Sequence, residues 1–145
     1  MTSGCTAALT LPLPNAHFIW YCAWLAIPSA IYSYSNPSST HLAIVPASVW
    51  ATSLLYWRDP VRDSWQRTLD MTAVFTGLSY NTYYAVRDAS PRHFSVYAAL
   101  ISTSVVCYGV SIYLMTRGRI WPATYAHACV HLVGNMANMV LYAGV

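Results

Sequence analysis

The sequence predicts an all-α integral membrane protein, a compact bundle of about five (four to five) transmembrane helices. Three observations carry this. Of 145 residues 57% are hydrophobic and only 8% charged, with a mean hydropathy of +0.40, whereas a globular domain is about 25% charged. Lys and Glu are absent, so the charges are seven Arg and four Asp. Ten of these eleven sit in short clusters between apolar runs, the pattern of loops that flank membrane spans. Such a composition excludes a disordered chain and argues against a water-soluble one. Arg spread between apolar runs is not a phosphate-binding face, so no nucleic-acid partner is expected.

A spanning helix needs about 20 mostly apolar residues, and five segments approach this. Residues 1–15, with Pro12 and Pro14, form an extramembrane N-terminal segment, and 16–145 form a single transmembrane helical domain. The first segment, 16–34, carries Pro28 as a kink. The second, 41–57, follows the turn-rich loop 35–40. The third is 68–86, the fourth 94–115 and the fifth 121–144. Aromatic residues gather at segment ends (Trp20, Trp24, Trp57, Trp65, Trp121), as in an aromatic belt. Cys22, Cys107 and Cys129 fall inside apolar segments and act there as small hydrophobes. The first Arg is Arg58, so neither a signal-peptide n-region nor an Arg-rich transit peptide is recognisable, and the first segment reads as a retained span.

With five spans, the N-terminus and the loops 58–67 and 117–120 share one side. That side carries Arg58, Arg62, Arg67, Arg117 and Arg119, and the other only Arg87 and Arg92. The positive-inside rule then predicts a multi-pass protein with its N-terminus on the cytoplasmic, stromal or matrix side.

The fifth segment carries the densest chemistry. His127 and His131 are i, i+4 neighbours on one helix face, and Asn135 and Asn138 continue the stripe. A polar stripe in a membrane helix must face protein, a cavity or a cofactor, because lipid offers no hydrogen bonds. Two readings stay open: helix–helix hydrogen bonding, or two imidazoles gripping one metal ion. Asp70 lies just inside the third segment, three residues after Arg67, where it can cap the helix or serve a site. Ser53 lies one turn before Trp57, where a membrane hydroxyl commonly bonds back to its own helix. Ser53, Asp70, His127 and His131 all lie toward the Arg-rich end, at one level.

Ser53-Leu-Leu-Tyr-Trp57, Arg67-Thr-Leu-Asp70 and His127-Ala-Cys-Val-His131 together resemble the membrane-hydrolase superfamily of alkaline ceramidases, progestin/adiponectin-type receptors and haemolysin-III-like proteins. The resemblance covers about 50–75 and the last 25 residues. It implies zinc as cofactor, held by His, with Asp70 and Ser53 as catalytic residues beside a zinc-bound water. The lipid substrate would be an amide or ester reached from the bilayer. His127 and His131 match the family's last-span pair. Trp57 stands where the family has a third His, and the chain is two spans short of its seven. His17, at the start of the first segment, is the candidate replacement ligand.

A second function class competes. Small multi-span chains with few loops serve as accessory subunits of larger membrane assemblies. Ala98, Ala99, Ser102, Thr103 and Gly109 of the fourth segment suit close packing, with other membrane-protein subunits or within the chain.

Overall fold

Prolines and caps decide where the helices begin. In the computed structural model, which describes residues 9–145, α1 (Leu13–Ala23) follows Pro12 and holds Pro14 in its first turn, where a missing N–H costs nothing. The single segment expected over 16–34 is in fact two helices, because α2 (Ala26–Ser35) starts anew. The break falls at Trp24–Leu25 rather than at Pro28. A proline ring clashes with the carbonyl four residues earlier, here Trp24, so the helix must yield on that side of it. Tight three-residue bonds close the break, from Leu25 N–H to Cys22 O (3.0 Å) and from Ile27 N–H to Trp24 O (3.1 Å). A short 3₁₀ turn (Thr40–Ala43) leads into α3 (Ile44–Trp57), which places Pro46 in its first turn.

The long helices match the sequence closely. α4 (Trp65–Asp88) starts at Ser64, whose side chain accepts the Arg67 backbone N–H at 3.2 Å. α5 (Pro91–Thr116) opens on Pro91 and ends in a paired turn: Gly118 N–H bonds Met115 O and Arg119 N–H bonds Leu114 O, both at 3.0 Å. Gly118 closes it at φ +70°, a conformation that favours glycine. α6 (Ile120–Gly144) follows at once. No strand forms among the described residues beyond an isolated bridge between Leu9 and Val61.

Counting α1 and α2 as one rod, the helices make five up-and-down passes. At one end, Thr10 N–H bonds Pro60 O at 2.7 Å and the Thr10 and Tyr56 hydroxyls meet at 2.6 Å, which brings the N-terminal segment onto the 58–63 loop. At the other end, Asn36 donates to Tyr142 O (3.1 Å), Ser38 to Val145 O (2.7 Å) and the Ser90 N–H to Gly144 O (3.3 Å). There Arg87 grips both oxygens of Asp88 (2.9 and 2.7 Å), holding that carboxyl below its ordinary range. An apolar cluster closes each end. Leu11, Ala16, Ile19, Tyr56 and Trp57 form one; Leu42, Ala85, Tyr97, Ala137, Leu141 and Tyr142 form the other.

Between them α6 is the hub, and its inner face is polar. Thr124 accepts from Asn15 of α1 (3.0 Å), Asn135 from Ser29 of α2 (2.8 Å) and Asn138 from Asn81 of α4 (2.9 Å). α5 lies closest, with Ser111 donating to Ala123 O (2.9 Å) and Ser104 to Val130 O (3.3 Å). Of the small residues singled out on the fourth segment, Ala98 is half-buried and Ala99, Ser102, Thr103 and Gly109 face outward, while within the chain Ser104 and Ser111 make the close contacts. By contrast α4 and α5 barely touch.

Of the described helices one, α5, is long and apolar enough to cross a membrane, with a mean hydropathy of 1.7 over 18 residues of which only 11% are buried. α3 has 14 residues, too few at 1.5 Å each for a core of about 30 Å, and the inward polar stripe lowers the hydropathy of α6.

Gly77 tests the α3–α4 contact. A Cβ there would stand 2.8 Å from Val45 Cγ1. Gly77→Leu is expected to cost about 1–3 kcal/mol through overpacking, read as a lower midpoint in a thermal melt of the purified chain. An unchanged midpoint would contradict this packing.

Candidate functional site

The residues singled out by the sequence come together where α3, α4, α5 and α6 part. Ser53 is buried on the last turn but one of α3 and Asp70 on the second turn of α4, and the Ser53 Oγ–H donates to Asp70 Oδ1 at 2.7 Å. Thr52 Oγ1 lies 3.1 Å from the same oxygen and 3.0 Å from Ser48 O, so its proton is shared between a cross-helix bond and its own helix. Two features expected from sequence are therefore replaced. Asp70 does not cap α4, because Ser64 does. Ser53 does not bond back to its helix, because the carboxylate is the stronger acceptor.

Across from this pair, on α6, the His127 and His131 rings lie 5.5 Å apart. Trp57 packs its ring 4.9 Å from His127, and Tyr108 of α5 stands 6.0 Å away on another side. Asn135 donates to the His131 carbonyl at 2.7 Å and accepts from Ser29. His131 Nε2 and Asn81 Oδ1 are both buried and have no hydrogen-bond partner among the described residues. A buried polar atom without a partner costs about 1–3 kcal/mol, so both are poised to bind something that carries a complementary group.

Ser53, Trp57, Asp70, Asn81, Tyr108, His127, His131 and Asn135 line one chamber of about 370 Å³, within the usual range of small-molecule sites. Its walls are otherwise apolar: Val45 and Val49 of α3, Val74 and Leu78 of α4, Ile101 of α5 and Val130 of α6. Where α4 and α5 diverge, Phe75 (72% exposed) and Val105 (57% exposed) form the lips of a side opening. A second cavity of about 420 Å³ lies at the Arg-rich end, bounded by Thr10, Tyr56, Arg62, Arg67 and Thr116. Trp57, Asp70, Met71, Tyr108 and His127 belong to the walls of both, so the polar cluster forms a neck between chamber and vestibule.

Ser53, Asp70, His127 and His131 thus share one chamber. His17 does not join them: it is exposed on α1 and borders neither cavity, because Asn15, Ala16 and Ile19 take the inward positions of that helix. The donor set does not suit a resident zinc. Two imidazoles are two ligands, Trp57 occupies the flank of His127, and no group of three or more His, Cys, Asp or Glu side chains that could hold a metal forms among the described residues. Thr52, Asn81 and Tyr108 were not singled out from sequence. Asn81, a lone amide in the middle of the third segment, carried the one signal that could have found it. Comparison with protein-family models, with curated proteins and with solved structures finds no match.

The Ser53–Asp70 bond is testable. Asp70→Ala is expected to destabilise the chain by about 1–3 kcal/mol by orphaning the Ser53 hydroxyl and removing the cross-helix bond of Thr52. Asp70→Asn, which keeps an acceptor, is expected to lose less than half of that in thermal melts. Equal melting of both variants and the parent chain would contradict the pairing.

Proposed function

We propose that the chain is a multi-pass membrane protein whose chamber binds a membrane lipid, built on the plan of the membrane-hydrolase superfamily but with its metal site reduced to two imidazoles. The observation that carries this reading is the chamber itself: a largely apolar pocket, open sideways between α4 and α5, whose polar groups gather at the neck and on α6, with Asn81 of α4 and Ser104 of α5 beside them.

The distribution of polarity supports the membrane part. On α6 the inward positions are Thr124, His127, His131, Asn135 and Asn138, while Leu132, Met136 and Met139 face outward. Apolar side chains also face outward at Ile31, Ile44, Val86 and Val106, each at least 60% exposed, while the outer face of α4 adds hydroxyls at Thr68, Thr72, Thr76 and Ser79. Polar inside and apolar outside suits a lipid surrounding. The Arg-rich loops lie at one end of the bundle, which supports an N-terminus on the cytoplasmic, stromal or matrix side under the positive-inside rule.

Binding follows from the shape. A lipid tail entering past Phe75 and Val105 meets apolar wall, while an ester or amide linkage reaches the neck, where His127 and Asp70 offer hydrogen bonds, with His131 on the wall beyond. Without a third metal ligand the chain holds the lipid rather than hydrolyses it. An accessory-subunit role has one observation in its favour, the outward small-residue face of α5 (Ala99, Ser102, Thr103, Gly109), and is compatible with lipid binding.

The test is lipid cross-linking. A photoactivatable acyl-chain lipid in bilayer nanodiscs is expected to label the walls of the chamber, and Gly134→Leu, which fills it next to Ser104, is expected to lower labelling at least tenfold. Val105→Trp, on an exposed lip, repeats the block without a core substitution. Labelling confined to the outer faces would overturn the reading. Elemental analysis of the same preparation is expected to find no stoichiometric zinc; one zinc per chain, lost in His127→Ala, would restore the hydrolase reading.

A further inference from the structure

The two cavities differ in charge, and that difference has a ligand class written into it. The vestibule holds Arg62 and Arg67 against one carboxylate of its own, Asp63, since Asp70 is turned toward Ser53 and Thr52. Among the described residues the one ion pair within 4.0 Å is Arg87–Asp88, at the far end. Two guanidiniums without a carboxylate partner therefore border the polar mouth of a site whose inner half is apolar.

From this we infer that chamber and vestibule form one elongated site for a single-chain lipid with a phosphate headgroup, the phosphate between Arg62 and Arg67 and the acyl chain along α4. The inference rests on the lipid-binding reading above and adds which lipid. Guanidinium forks match phosphate oxygens in pairs, and a phosphate monoester carries about −1.5 to −2 charges near neutrality, enough to engage both. The two cavities adjoin, because Trp57, Met71 and His127 wall both.

Register on α4 matches the same orientation. Arg67, Met71, Val74 and Leu78 lie at i, i+4, i+7 and i+11 on one face. From Arg67 to Leu78 the helix rises roughly 16 Å at 1.5 Å per residue, so the charge sits at the mouth and the apolar residues follow inward. The headgroup then lies at the level of the Arg-rich loops, as in the leaflet from which the lipid comes. Beyond the neck, the unpartnered His131 Nε2 lies buried on the chamber wall. A volume of about 370 Å³ is at the small end for ligand pockets, which fits one acyl chain rather than two.

The experiment is binding to the full chain in phosphatidylcholine nanodiscs. Radiolabelled palmitoyl lysophosphatidate is compared with monopalmitoylglycerol, which has the same chain without the phosphate, and with inorganic phosphate as competitor. The expected result is at least tenfold tighter binding of the lysophosphatidate, abolished as a preference in R62Q/R67Q, with monopalmitoylglycerol binding unchanged in that variant. Both arginines are exposed, so the fold survives their loss; a thermal melt checks it. Equal affinities in the parent chain, or a preference that survives R62Q/R67Q, overturns the headgroup assignment and leaves lipid binding standing. Displacement of the lipid by equimolar inorganic phosphate overturns the claim that the chain is held along α4. Failure of both lipids to bind overturns the lipid-binding reading itself, and the headgroup assignment with it.

Discussion

One stripe of side chains on α6 holds the molecule together. Thr124, Asn135 and Asn138 each bond a residue of a different helix, Asn15 on α1, Ser29 on α2 and Asn81 on α4, and His127 packs on Trp57 of α3. Their spacing of three and four keeps all of them on one face. Each such bond between helices in a membrane is worth only about 0.6 kcal/mol on average, yet leaving the same groups unpaired in an apolar surrounding costs more. The stripe therefore dictates where the other helices stand. Once it is satisfied at both ends, the stretch around His127 and His131 is left facing a space that no helix fills.

That space explains the peculiarities of the site. α5 follows α6 closely because Ser104 and Ser111 are small enough to reach its carbonyls, which draws α5 away from α4 and opens the side of the bundle. Asp70, buried at the neck, takes its hydrogen bonds from Ser53 and Thr52 rather than from a cation. Trp57 contributes an aromatic edge where a metal site of the resembled superfamily would carry an imidazole. The arrangement brings a carboxylate, a hydroxyl and a helical His pair to one chamber.

Much of this was legible in the sequence, for physical reasons. The long helices could be read because their apolar runs end at Ser64, Pro91 and Gly118, each with its own stop or start chemistry. His127 and His131 could be placed on one face by spacing alone, and their common level with Ser53 and Asp70 followed from counting turns. Other features depended on partners far away in the chain. Which residue caps α4, and that Thr52 joins Ser53 on Asp70, are decided by how α3 lies against α4. His17 pointed the wrong way because the buried face of α1 is set by Asn15 meeting Thr124, 109 residues on. Pro28 announced a break, but its ring acts on the carbonyl of Trp24, so the break appears one turn earlier.

The central claim is that this bundle crosses a bilayer with the α6 stripe inside it. Single cysteines at Arg119 and at Ser38, on a background with the native cysteines removed, would be labelled with a membrane-impermeant maleimide in sealed vesicles of known orientation. Both positions are exposed and lie at opposite ends of the five passes. Labelling of one position from outside only, and of the other after the vesicles are opened, is the expected result. Labelling of both from the same side would contradict the account.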